Sequence, residues 1–152
     1  MAEVSVARRI AASSEAVYDL VSDLPRMGEW SNENTGGRWV KGATGPAEGA
    51  RFQGTNTNGK LKWKTMAKVT SADRGRRFAF SVTVGFMKVA DWSYDIVADG
   101  DGCTVTETWV DRRNALDALV TGLVTGVRDR ASFTRDGMAK TLEALAATAE
   151  RA

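Results

Sequence analysis

The chain has 152 residues, 43% apolar and 26% charged, with 21 Lys and Arg against 19 Asp and Glu for a net charge of +2. That length and balance fit one globular domain with a sizeable core and exclude a disordered or fibrous chain. The basic residues are scattered rather than gathered in a stripe, which argues against nucleic acid, and the absence of histidine beside a lone Cys103 excludes zinc sites built on those ligands, Ser-His-Asp and Cys-His catalysis, and an intrachain disulfide.

One cysteine suits a reducing compartment. "MAEVSVARRIAASSEAV" carries no long apolar stretch of the kind a signal peptide has, and no run reaches the length of a membrane span. A cytoplasmic location is the expectation. One unit is expected across residues 1–152.

"EVSVARRI" alternates at Val4 and Val6 and reads as a short strand. "ASSEAVYDLVSD" opens a helix with Ser13 or Ser14 as its cap, and Val17, Leu20 and Val21 share a face. Pro25 starts a second short helical turn in "LPRMGEW". Then comes "WSNENTGGRWVKG", in which Trp30 and Trp39 bracket a polar, Gly-containing stretch. Large rings in such a stretch need something to face.

After Gly36-Gly37 the pattern has period two. Trp63, Thr65, Ala67 and Val69 share one face, as do Phe78, Phe80, Val82 and Val84; then Trp92, Tyr94 and Ile96; then Val105, Glu107 and Trp109. The alternate positions are mostly polar. This is the signature of antiparallel strands covered on one side. Asn58-Gly59, Asp73-Arg74-Gly75 and Asp99-Gly100 supply the hairpin turns.

"ALDALVTGLVTGV" offers an apolar face of Leu116, Leu119, Val120, Leu123, Val124 and Val127, weakened as a helix by Gly122 and Gly126. It reads as a loose lid, a membrane-touching segment, or a helix packed on the sheet edge or on a second copy. From Ala131 to Ala149, Met138, Leu142, Leu145 and Ala149 form an amphipathic stripe. Strands clustered between terminal helices predict an α+β fold, with a curved antiparallel sheet wrapped around the long C-terminal helix and two short helices after the first strand.

The combination of "VSVARRIAASSEAVYDLVSDLPRMGEWS", "GARFQGTNTNG", "DWSYDI" and "GCTVTETW" before a terminal helix resembles the START-like, helix-grip (SRPBCC) superfamily, in particular its polyketide cyclase/dehydrase branch. The resemblance covers nearly the whole chain. It implies a cavity between sheet and helix holding an apolar ligand.

Under that resemblance the candidate ligand-binding residues are Trp30, Trp39, Phe52, Asn56, Trp63, Phe80, Trp92, Tyr94, Trp109, Met138 and Leu142, with plain core filling as the competing account. Glu107 shares the parity of Val105 and Trp109. It is the candidate acid or base, unless it pairs with Arg38 or Arg51. Asp91 and Asp95 oppose Trp92 and Tyr94 and are expected in water. "GTNTNGKL" approaches a phosphate loop but places Leu61 where Ser or Thr should stand, and it leads into a strand. Arg112 and Arg113 end a strand, either beside a cavity mouth or simply in solvent.

A ligand burying about 500 Å² of apolar surface gains roughly 12 kcal/mol, and an association cost of ~4 kcal/mol leaves micromolar affinity. The expected function is binding or carriage of a lipid, isoprenoid or polyketide-like molecule without a cofactor or metal. The alternatives are a cofactor-independent cyclase or aromatase acting on a poly-β-ketone, and a protein-interaction module with a vestigial cavity. A transient membrane contact and a monomer or homodimer are both compatible with the sequence.

Overall fold

The computed structural model describes residues 2–151. In chain order the elements are β1 (Glu3–Ile10), α1 (Ser14–Val21), a 3-10 turn (Leu24–Glu29), β2 (Asn34–Val40), β3 (Arg51–Asn58), β4 (Leu61–Asp73), β5 (Arg77–Val84), β6 (Met87–Asp99), β7 (Gly102–Asp111), α2 (Ala115–Thr125) and α3 (Arg130–Arg151). The strands form one curved antiparallel sheet in the order β1-β7-β6-β5-β4-β3-β2. This is the helix-grip α+β arrangement that the element order predicts.

Local chemistry accounts for most boundaries. Ser13 caps α1 by accepting from the Ala16 amide at 3.1 Å. Gly59, Gly75 and Gly100 turn three hairpins at positive φ. The phosphate-loop look-alike is the β3–β4 hairpin. Register shifts leave Thr70 of β4 unpaired opposite β5 and Val89 of β6 unpaired opposite β5, and such an extra residue bends its strand.

Two expectations change here. The strand pattern does not wait for the residues after Gly36-Gly37: β2 starts at Asn34 and runs through the two glycines, placing Trp39 near its end. Those glycines are needed within the strand. A Cβ on Gly37 would stand 2.0 Å from the Gln53 carbonyl oxygen and 2.9 Å from the Phe52 ring. And α2 turns its apolar side outward. Leu116, Leu119 and Leu123 are 64–74% exposed, while Thr121 and Thr125 are buried. Val127, just past the helix, is the one member of the expected face that is buried.

The long helix α3 runs against β1 and β7 and does two jobs. Its C-terminal half inserts Leu142, Leu145, Ala146 and Ala149 among Ile10, Val17, Phe78, Ile96 and Val105, and that region is packed solid. Its N-terminal half presents Thr134, Gly137, Met138 and Thr141. These are mostly small side chains, and a sheet that curves away from small side chains is left with a gap.

Candidate functional site

The gap is a cavity of about 180 Å³ between the concave sheet and the N-terminal half of α3. An apolar cavity of about 150 Å³ stays dry and takes up a small aromatic molecule. This one is of the same order.

The sheet register builds its wall. Phe80 stands opposite Trp92, Trp92 opposite Trp109, and Tyr94 opposite Glu107. Successive strands therefore lay their rings side by side on one face. Trp63 and Phe52 continue the wall on β4 and β3, and Met138 closes it from α3. Asn56, across from Trp63, adds an amide whose nitrogen donates to Thr65 Oγ1 at 3.2 Å.

Three candidates lie elsewhere. Trp30 is buried behind the 3-10 turn, with the Arg26 guanidinium 5.5 Å from its ring centre. Trp39 packs edge-on against Phe52 with ring centres 5.3 Å apart, outside the cavity lining. Leu142 is fully buried in the solid part of the core. Parity places a residue on the inner face but does not say which length of that face is hollow. So the two tryptophans that bracket the Gly-containing stretch divide: one is core, the other supports Phe52, and the cavity tryptophans come from β4, β6 and β7.

Glu107 lies on the cavity wall, only 2% exposed. Neither Arg38 nor Arg51 pairs with it. The Tyr94 hydroxyl donates to Glu107 Oε2 at 2.9 Å, and Glu107 Oε1 has no hydrogen-bond partner. Burial pushes the Glu107 carboxyl up to about 8, against the smaller downward pull of the Tyr94 hydrogen bond. At neutral pH it is therefore mainly a neutral acid. Burial, and then the adjacent Glu107, raises the Tyr94 phenol well above its ordinary range, so it stays protonated.

Near α2 the lining is polar, and sequence reasoning missed most of it. Arg113, with a side chain 8% exposed, holds Asp111 through two guanidinium nitrogens at 2.8 and 2.9 Å and donates to Thr121 Oγ1 at 2.9 Å. Arg130 pairs with Glu33 and donates to Thr125 Oγ1 at 3.0 Å. Burial works to raise the Asp111 carboxyl, but the Arg113 hydrogen bonds outweigh it and hold the group low. Arg113 was visible as half of a strand-end pair. The Glu33–Arg130 pair spans 97 positions and leaves no local signal. Arg112 and Asp91 form a partly exposed ion pair, and Asp95 pairs with Arg77. Both aspartates thus sit on the outer face.

Gly137 matters for this end of the cavity, because a Cβ there would stand 2.8 Å from Asn32 Oδ1. The glycine lets the segment before β2 close against α3. No cluster of potential metal ligands occurs among the described residues, and none of their helices is long and apolar enough to cross a membrane.

A family model described as "Polyketide cyclase / dehydrase and lipid transport" matches residues 1–150. A search of the curated proteins finds no match. Among solved structures, the polyketide-cyclase-like protein Cgl2372 from Corynebacterium glutamicum is 30% identical, with a TM-score of 0.64 over 94% of this chain and 88% of its own. CV1439 from Chromobacterium violaceum is 13% identical, with a TM-score of 0.70 over 97% and 96%. The di-domain ARO/CYC protein StfQ of the steffimycin biosynthetic pathway is 10% identical, with a TM-score of 0.75 over 98% of this chain and 50% of its own. The last two likenesses concern the fold.

Proposed function

Because the chain belongs to the polyketide cyclase/dehydrase and lipid transport family, we propose that it binds a hydrophobic small molecule of lipid, isoprenoid or polyketide-like character in the cavity, as a carrier or binding protein. The observation that carries this reading is the division of α3. The same helix that packs leucines into a solid core at one end meets the tryptophan wall with small residues at the other. The wall is aromatic on three neighbouring strands, and its charged groups at the α2 end are already paired. An apolar guest thus displaces no unpaired charge.

The test is native mass spectrometry of protein purified from its own host, followed by extraction. A bound mass of a few hundred daltons, released on denaturation, supports the reading. A protein that is empty in its own host and unresponsive to a lipid and polyketide panel contradicts it.

A second reading, cyclisation of a poly-β-ketone, is favoured by one observation: a buried acid with an unused oxygen on the cavity wall. An enolising group and a nearby phenol are what cofactor-free carbonyl chemistry needs. Under that reading Glu107→Gln abolishes turnover while binding persists. Turnover that survives the change removes Glu107 as the general acid or base. StfQ is named for an aromatase/cyclase, and that likeness brings the possibility to this chain as part of the proposal.

The outward leucines of α2 are the surface on which we place a transient membrane contact during loading or release. The cytoplasmic location remains part of the same proposal.

A further inference from the structure

Glu107 Oε1 is one of two buried side-chain oxygens without a hydrogen-bond partner among the described residues. The other, Glu33 Oε2, belongs to a carboxylate already paired with Arg130. Buried polar atoms are almost always satisfied, so an unused one on a cavity wall calls for a partner that is not part of the chain.

We propose that Glu107 and Tyr94 form a hydrogen-bonding anchor that selects ligands presenting a carbonyl oxygen to Glu107 Oε1. The proposal rests on the cavity-binding reading and narrows its ligand class to ketones and related neutral carbonyl compounds.

The chemistry follows from the inventory of donors and acceptors. Tyr94 has one donor, and it is spent on Oε2. When Glu107 is neutral, its proton belongs on Oε1, the oxygen that accepts nothing. That leaves one buried donor on the cavity wall that Phe80, Trp92 and Trp109 also line. A carbonyl oxygen satisfies it and adds no donor of its own. A hydroxyl would bring a second O–H against Phe80, Trp92 and Trp109, whose rings carry no oxygen or nitrogen acceptor for it. A ligand carboxylate would need a cation, and Arg113 and Arg130 are committed to Asp111 and Glu33. Asn56, the amide on the same wall, is tied into the sheet: its oxygen accepts from Asn34 and its nitrogen gives one of its two hydrogens to Thr65.

The surroundings isolate the pair. On β1 the residue opposite Glu107 is Val6; on β6 it is Tyr94. Beyond Arg130 at its start, the cavity-facing residues of α3, Thr134, Gly137, Met138 and Thr141, are uncharged. The charged groups on the same cavity wall are Arg113, Arg130 and Glu33, each with the partner already given. Among the described residues, Tyr94 is thus the only titratable side chain hydrogen-bonded to Glu107.

The experiment compares binding of 9-fluorenone, 9-fluorenol and fluorene, three probes of one shape, by tryptophan fluorescence and calorimetry. The wild-type protein is expected to bind fluorenone roughly tenfold or more tightly than fluorene, the scale of one buried hydrogen bond, with fluorenol weaker than fluorenone. Glu107→Leu removes the preference but retains fluorene binding. Glu107→Gln keeps it, since the amide still donates to the ketone. In the wild type the preference falls as pH rises through about 8, whereas in Glu107→Gln it does not. The infrared carbonyl stretch of bound fluorenone lies lower in wild type than in Glu107→Leu.

Equal binding of fluorenone and fluorene by the wild type, or a ketone preference that survives Glu107→Leu, overturns the anchor and leaves the cavity reading standing. If none of the probes binds and the protein from its own host is empty, the cavity reading falls and the anchor falls with it.

Discussion

The inner face of β7 and the outer face of α2 carry similar apolar residues and meet opposite fates. Val105 and Trp109 are at most 3% exposed, while Leu116, Leu119 and Leu123 are at least 64% exposed. The difference comes from what lies beneath each element. β7 sits between two strands and faces α3, so its apolar side chains gain by turning inward. α2 sits over Arg113 and Arg130, whose guanidiniums need acceptors besides Asp111 and Glu33. Only its threonine side supplies them. Thr121 and Thr125 also return their own hydroxyl protons to helix carbonyls, those of Asp117 and Thr121, at 2.8 Å each. Satisfying two largely buried cations outweighs hiding five aliphatic side chains. An amphipathic stripe therefore says that a helix has two faces, but not which one the protein beneath it wants.

The largest expected effect comes from cutting one ring from the buried face. Trp109→Ala should cost about 3–5 kcal/mol in urea unfolding, whereas Leu123→Ala on α2 should stay within roughly 0.5 kcal/mol. Comparable losses at the two positions would erase the contrast.

Glu107 sharpens the comparison through pH. Its folded-state value of about 8 lies above the ordinary 4.5, so the folded protein keeps a proton that the unfolded chain has lost. The protein is then most stable below the unfolded value and loses stability as pH rises toward 8. Between pH 5 and pH 7 the loss is on the order of 2–3 kcal/mol. Glu107→Gln should flatten that decline. A wild-type profile already flat over this window would contradict the buried neutral acid.

Next comes the threonine face. Thr121→Val keeps the shape but removes the oxygen that receives Arg113, and should cost about 1–2 kcal/mol by thermal or urea unfolding. An unchanged midpoint would mean that Arg113 does not orient α2. The smallest effect on stability belongs to the exposed face. Leu119→Ser with Leu123→Ser should leave unfolding within about 0.5 kcal/mol yet abolish co-sedimentation with vesicles containing phosphatidylglycerol. Equal co-sedimentation of wild type and variant removes the membrane role of this surface.

The sheet and the long helix were legible because period-two alternation in β4 to β7 and the Met138–Ala149 stripe depend on near neighbours alone. Glu107 was legible for the same reason, since parity with Val105 and Trp109 turns it inward whatever its charge. Gly36 and Gly37 were misleading. They resemble a boundary, and only the close approach of Gln53 and Phe52 shows why a strand needs them. Trp30, Trp39 and Leu142 show a second limit. Which part of an inward face is hollow depends on the small residues that α3 brings from about a hundred positions away. Glu33 and Arg130 meet only through the completed fold, so neither looked like part of the cavity.

The most direct test of the central claim uses 19F NMR of the intact protein labelled with 5-fluorotryptophan, titrated with 9-fluorenone. Trp63, Trp92 and Trp109 line the cavity, while Trp30 and Trp39 do not. Resonances assigned to the first three should shift on saturation, and those of Trp30 and Trp39 should stay within the linewidth. Five resonances that all stay put, or shifts confined to Trp30 and Trp39, would contradict a ligand cavity behind the β6–β7 wall.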